Sequence, residues 1–241
     1  MIALLLNSGR GTRMGSETQE HPKCMVTLPG NRTIISHQLD LIRQLGIRRV
    51  VITTGPHADL LKEHVQQHAE GLDIRYVPNP AYASTNYIVS MLNASDLMQD
   101  DVLLLHGDLV TRLDVLQALC AANTSSVVID RSLSLPDKDF KADLSDHRVL
   151  SIGVDVFTPH AAASQPAYRF LKQDMQRWLA SIRAFVERGE TACYAENALN
   201  PLLSDSIDLR GVDAGGRLCN EIDTPDDWQV VAHRFETEVL Q

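Results

Sequence analysis

Apolar runs of strand length alternate with helix-length periodic segments through the first half of the chain, and this alternation limits the possible folds more than any other feature. The runs are Ile2–Leu6, Val50–Thr54, Ile74–Val77, Val102–His106 and Ser126–Ile129, with helices expected near 34–45, 58–69, 86–98 and 112–121. Such an order predicts an α/β chain with a doubly wound, mostly parallel (mixed) sheet, whose ligands lie beyond the carboxyl ends of the strands.

The second half is less regular. Lys141–Leu144 and Val149–Val154 read as strands joined at Ser145-Asp146-His147. An amphipathic helix is expected over roughly 168–188, with Leu171, Met175, Trp178, Leu179, Ile182 and Phe185 on its apolar face. Thr224-Pro225 reads as the cap and first turn of a closing helix, Trp228–Phe235. No linker or repeat interrupts the 241 residues, so one domain is expected. Within it, 1–135 would form a nucleotide-binding half, 136–215 an acceptor-binding subregion, and 216–241 a metal-ligand strand with the last helix.

A formal charge of −9 argues against a nucleic-acid surface, which needs a basic stripe. An acidic chain that handles a polyanion must concentrate its cations locally or recruit a metal ion. Cys24, Cys120, Cys193 and Cys219 form no C-x-x-C pair, and no targeting segment is evident, which points to reduced thiols in the cytoplasm. No apolar run approaches the ~20 residues that span a bilayer, so no membrane partner is expected. Oligomeric state is left open between monomer and homodimer.

The first apolar run ends in Asn7-Ser8-Gly9-Arg10-Gly11-Thr12-Arg13, followed by His21-Pro22-Lys23. Gly9 and Gly11 let backbone N–H groups turn toward an anion, and Arg13 and Lys23 supply charge where a triphosphate would lie. Neither a third fingerprint glycine nor a Gly-Lys-Ser/Thr run is present, so this is neither of the commonest phosphate loops. Asp108 follows the run Val102–His106 and Gly107, at a strand's carboxyl end. Glu221 and Asp223 alternate on one side of an extended segment, whereas Asp226 and Asp227 suit the first turn of the helix that follows. His64 and His68 lie four apart on a helix but have no third ligand nearby, and read as a solvated face.

The loop resembles the L-x-A-G-x-G-x-R-(L/M) signature, with its downstream P-K, of the nucleotidyltransferase superfamily that includes sugar-phosphate nucleotidylyltransferases and molybdenum-cofactor guanylyltransferases. Asn7-Ser8-Gly9 with His21-Pro22-Lys23-Cys24-Met25-Val26 is more similar to the branch that makes CMP conjugates of phosphocholine and of phosphonates. Further matched clusters near 82–91, 102–110, 139–154, 163–169, 193–200 and 217–227 carry the resemblance along nearly the whole chain.

That resemblance implies a GT-A-like fold with a Rossmann-like nucleotide-binding half. It also implies a Mg²⁺-dependent cytidylyltransferase, with Mn²⁺ able to substitute. Asp108 and Asp223 would be the metal ligands, Glu221 a third candidate, and Arg13 and Lys23 would act with them in catalysis. Asn7, Ser8, Gly9, Gly11, Thr12, Arg13, Lys23 and Gly107 would hold CTP. Asn79 and the run Tyr82, Thr85, Asn86, Ser90 would read the base; Thr85-Asn86 could equally cap the next helix. Lys141 would hold the acceptor, unless it is a solvated lysine on an edge strand. Tyr168, Arg169, Glu196 and Asn200 stand in the other acceptor-side clusters; Glu196 and Asn200 share one helix face and could instead cap and bury.

A phosphonate or phosphate oxygen already carries a free electron pair near neutral pH, so the acceptor needs positioning rather than a strong base. The leading acceptor is a small phosphonate such as 2-aminoethylphosphonate, hydroxyethylphosphonate or phosphonoformate. Phosphocholine ranks second, because aromatics are only 5% of the chain and a quaternary ammonium wants aromatic faces. A sugar 1-phosphate is a rival within enzymes, and a nucleotide-sensing domain without turnover is a rival of another class.

Overall fold

The computed structural model describes residues 1–9, 11, 14 and 20–240. β1 (Ile2–Asn7) is buried at every position, as a strand covered on both faces must be. After a 3-10 turn at Lys23–Met25, β2 (Thr27–Leu28) and β3 (Arg32–Thr33) form a small ribbon. Thr33 then caps α1 (Ile34–Gln44) in a reciprocal capping box with Ser36. β4 (Arg49–Thr54), α2 (Ala58–Gln66), β5 (Asp73–Pro78), α3 (Tyr87–Asn93), β6 (Val102–His106), β7 (Leu109–Thr111), α4 (Leu113–Ala121) and β8 (Ser126–Asp130) complete the alternating half. The third expected helix is shorter than its periodicity suggests, because Ala94 and a 3-10 turn at Ser95–Leu97 follow α3.

In the second half, β9 (Lys141–Ser145) and β10 (Arg148–Gly153) form the expected hairpin, with Asp146 at φ 55° in its turn. Next come β11 (Ala161–Phe170), α5 (Lys172–Glu187), α6 (Glu196–Leu199), β12 (Arg210–Asp213), β13 (Cys219–Glu221) and α7 (Pro225–Glu238). Residues 168–170 belong to a ten-residue strand rather than to the amphipathic helix, which begins at Lys172.

The main sheet has nine strands in the order β5-β4-β1-β6-β11-β8-β12-β10-β9. β5, β4, β1 and β6 run parallel; β11 is antiparallel to both β6 and β8. Alternate residues of β1 feed two separate cores. Ile2, Leu4 and Leu6 pack with Met91 of α3 and Met175 and Trp178 of α5. Ala3 and Leu5 pack with Leu39 and Ile42 of α1, Leu61 of α2 and Leu116 of α4. A third cluster holds α7 to the body through Val231 and Phe235 against Ile34 and Val110.

One small feature positions the chemistry. β13 pairs antiparallel with β7, setting Glu221 opposite Leu109, and the Ile222 amide donates to the Asp108 carbonyl at 3.0 Å. This ribbon carries the acidic end of the chain to the carboxyl end of β6. The Thr224 cap then starts α7, with Pro225 in its first turn and Asp227 closing the capping box.

Candidate active site

A cleft of about 430 Å³ opens at the carboxyl ends of β1 and β6. Asn7, Ser8, Gly9 and Gly11 line one side, and His106, Gly107 and Asp108 line the floor. Two glycines beside the cleft sit where a side chain has little room. A Cβ on Gly107 would lie 1.8 Å from Asn7 Oδ1, and one on Gly55 would lie 2.2 Å from the Ser8 carbonyl oxygen. Gly11 has φ 63°, the left-handed backbone expected of a turn that presents amides. Thr12 and Arg13, expected to bind the nucleotide, lie outside the described residues.

Lys23 joins the acidic groups. Its ammonium donates to Asp108 Oδ2 at 2.6 Å and also to Asp223 Oδ1. Both carboxylates therefore face one point in the cleft, though they lie in widely separated parts of the sequence. Burial disfavours charge on Lys23, but the two carboxylates outweigh it and raise its pKa above the usual lysine value. For Asp108 burial works against ionisation, and the Lys23 charge prevails, lowering its pKa.

Glu221 accompanies them. Burial first, then the charge of Asp108, pushes its carboxyl up to about 7, while His106 Nδ1, 3.2 Å from Glu221 Oε1, opposes the rise. Ligand atoms of His106, Asp108 and Glu221 lie within 4.8 Å of one another. Among the described residues, the buried Asp108 Oδ1 has no hydrogen-bond partner. Carboxylate oxygens of Asp108, Glu221 and Asp223 are the hard donors that Mg²⁺ prefers, so the residues present fit that ion. Among the described residues, His64 and His68 belong to no such cluster; His64 Nε2 instead meets Thr33 Oγ1 at 2.8 Å.

Asn79, Tyr82, Thr85, Asn86 and Tyr87 also line the cleft. Asn79 is an internal strut there: its amide donates to Thr85 Oγ1 (3.2 Å) and Ser90 Oγ (3.0 Å), and its oxygen accepts from the Ala81 amide (3.0 Å). Ser90 does not reach the cleft, which corrects its assignment to the nucleotide. It is fully buried, with its hydroxyl 2.6 Å from that of Ser8, so it braces the glycine loop from behind. Asn86 caps α3 through the Tyr87 amide at 2.7 Å and lines the cleft as well.

The five residues expected to hold the acceptor lie elsewhere, and each has a structural occupation. Lys141 is fully buried, donating to the carbonyls of Pro136 (2.6 Å) and Asp139 (3.0 Å). Tyr168 donates to Glu196 Oε1 at 2.8 Å inside the core, and Tyr87 donates to the other oxygen. Glu196 is thus enclosed behind the cleft wall. Arg169 sits near the opposite end of the sheet, bonded to the Ala122 carbonyl (2.6 Å) and to Asp101 Oδ2 (2.9 Å). Asn200 clamps β10, accepting from the Ile152 amide at 2.8 Å and donating to its carbonyl at 2.9 Å.

Side chains not singled out in the sequence line the cleft in their place: Tyr87, Lys138, Asp139, Phe140 and Tyr194. Phe140 and Tyr194 meet edge to face at 4.9 Å, and Tyr87 meets His106 likewise at 4.8 Å. A low aromatic content did not foretell that four aromatic residues, counting Tyr82, converge on one cleft.

Residues 3–132 match the model of the MobA-like NTP transferase domain. The chain belongs to that family. CMP-5'-(3-aminopropyl)phosphonate synthase of Streptomyces rubellomurinus is 33% identical over 126 residues, covering 52% of this chain and 20% of that protein. CTP:phosphoglutamine cytidylyltransferase of Campylobacter jejuni is 29% identical over 161 residues, 63% of this chain and 62% of its own. Bifunctional protein GlmU of Paracidovorax citrulli is 35% identical over 137 residues, 56% of this chain and 28% of its own. The chain spans less than two thirds of the length of each of these curated relatives.

Among solved structures, a CTP:phosphocholine cytidylyltransferase from Streptococcus pneumoniae superposes with a TM-score of 0.78 at 18% identity, covering 96% of this chain and 98% of the other. An inositol-1-phosphate CTP transferase from T. maritima gives the same score and identity over 98% and 96%. These likenesses establish an α/β nucleotidyltransferase fold. No helix among the described residues is long and apolar enough to cross a membrane.

Proposed function

We propose that this chain is a Mg²⁺-dependent cytidylyltransferase that transfers CMP from CTP to a small phosphonate and releases pyrophosphate. One observation carries the reading: Asp108 and Asp223 converge on Lys23 beside the glycine loop that ends β1. Two relatives whose names specify CMP or CTP, one of them a phosphonate enzyme, support the choice of nucleotide and acceptor. The free cysteines suit a reduced compartment such as the cytoplasm.

In this reading, Gly9, Gly11, Thr12 and Arg13 cradle the triphosphate, and Tyr82, Thr85 and Asn86 face the base. Asp108 and Asp223, with Glu221, would hold Mg²⁺, which supplies charge neutralisation at the α-phosphate when bound. An acceptor oxygen donates its electron pair to the α-phosphorus; the bond from that phosphorus to the bridging oxygen breaks, and pyrophosphate departs with that pair. Positioning and charge complementarity are the chain's contribution.

Phosphocholine is the second reading, favoured by the aromatic wall of Tyr82, Tyr87, Phe140 and Tyr194. A pyrophosphate-release screen decides: CTP, UTP, GTP and ATP against 2-aminoethylphosphonate, phosphocholine, phosphoglutamine and glucose 1-phosphate. Turnover of CTP with a phosphonate above the other acceptors is expected. Preference for glucose 1-phosphate with UTP would overturn the reading, and CTP binding without release would make the chain a sensor.

A further inference from the structure

Lys141 is an unusual buried cation. It has no exposed surface, and among the described residues it pairs with no carboxylate. Two of its donors go to the Pro136 and Asp139 carbonyls, and the ring of Phe157 covers the ammonium with its centroid 4.2 Å away. Enclosing a charge this way is unfavourable unless the bonds it makes hold something in place. Both carbonyls belong to the segment 131–140 that joins β8 to β9. That segment carries Lys138, Asp139 and Phe140 into the cleft wall.

Lys138 is the opposite case. It is exposed, lines the cleft, and makes no ion pair with any described residue. The other described nitrogen donors in the cleft are engaged: Lys23 with Asp108 and Asp223, and His106 with Glu221. An anionic acceptor entering a cleft lined by Asp108, Asp139, Glu221 and Asp223 needs a cation that is not already engaged.

We propose that Lys138 holds the anionic group of the acceptor, and that Lys141 is a positioning residue that fixes the 136–139 segment carrying it. The proposal rests on the reading of this cleft as the site of a phosphonate or phosphomonoester acceptor, and assigns the acceptor's anion a named partner there. Phe157, 58% exposed, seals the clamp from water rather than filling the core.

The test uses pyrophosphate release by the whole chain with CTP and either 2-aminoethylphosphonate or phosphocholine. Lys138→Ala is expected to raise the acceptor KM about tenfold or more, as loss of a charged hydrogen bond does, and to leave the CTP KM within about twofold. Lys141→Met is expected to raise the acceptor KM likewise. The double variant should match Lys138→Ala alone, because Lys141 acts through Lys138. An unchanged acceptor KM in Lys138→Ala, or multiplied effects in the double variant, would overturn the assignment. Hydrogen exchange gives a second readout: amides of 132–140 should exchange at least about tenfold faster in Lys141→Met, and equal rates would remove the clamp. Should Lys141→Met not fold, Phe157→Ala replaces it, with the same shift in acceptor KM expected and an unchanged one counting against the clamp. A wild-type chain silent toward both acceptors would sink the functional reading and the role of Lys138, while exchange would still decide the role of Lys141.

Discussion

The ammonium of Lys23 is bonded to the carboxylate of Asp223, a residue 200 positions further along the chain. The same ammonium holds Asp108 at the end of β6, so one cation fixes the separation of the two acidic groups. Asparagine at either carboxylate keeps the shape but removes a charge and a hard oxygen donor. Asp108→Asn and Asp223→Asn should each lower pyrophosphate release by about a hundredfold or more. Thermal midpoints should stay within a few degrees of wild type, about 1 kcal/mol in stability terms. Near-normal turnover in either variant would take that residue out of the catalytic set.

The close approach of Gly55 to Ser8 ties the glycine loop to the neighbouring strand end. A methyl group there would sit 2.2 Å from a backbone oxygen, which no rotamer change can relieve. Gly55→Ala should therefore destabilise the fold by about 1–3 kcal/mol, the usual cost of overpacking, and weaken CTP binding as the loop shifts. Urea denaturation and CTP titration check both. A midpoint equal to wild type would mean the two strand ends are not in contact in solution.

His37 makes stability depend on pH. It is buried, with Nε2 2.7 Å from the Thr111 carbonyl and Nδ1 facing no partner among the described residues, so a second proton finds no acceptor there. Burial, opposed by the Thr111 contact, lowers its pKa from 6.5 to about 4. Between those values the unfolded chain binds a proton that the folded one refuses, so this contribution is complete above 6.5 and lost as pH falls toward about 4. The loss is on the order of 3 kcal/mol. His37→Gln, which can still donate to Thr111, should flatten urea midpoints across that window. An unchanged acid slope would place the titrating group elsewhere.

The alternating half of the fold was legible because each strand is a short apolar run bounded by turn residues, with amphipathic periodicity between. The pairing of Asp108 with Asp223 was legible only through the family motif; the register of β7 with β13 that brings Glu221 opposite Leu109 leaves no mark in either three-residue strand. β11 was hidden for a different reason. Ala161, Ala162, Ala163, Ser164 and Gln165 have poor strand propensity, and Pro166 falls where the register with β8 shifts between Gln165 and Tyr168. Buried on both faces at the centre of the sheet, the strand shows no alternation to read. The acceptor residues were misplaced because composition does not say which way a side chain points. Lys141 and Lys138 are three apart in one loop-to-strand segment, yet one is enclosed and the other faces the cleft.

Glu196 offers the sharpest contrast between a structural and a binding role. It is 1% exposed and accepts from two phenols, buried Tyr168 at 2.8 Å and half-buried Tyr87, and Tyr87 in turn packs edge-on against His106 in the cleft. Removing the carboxylate leaves both hydroxyls unsatisfied and opens a void beside α5 and α6. Glu196→Ala should cost about 3 kcal/mol, whereas Glu196→Gln, which keeps one acceptor oxygen, should cost about 1 kcal/mol. With Glu196→Gln still folded, the acceptor KM should move less than it does for Lys138→Ala. A stable Glu196→Ala chain with a large rise in acceptor KM would instead return Glu196 to the substrate.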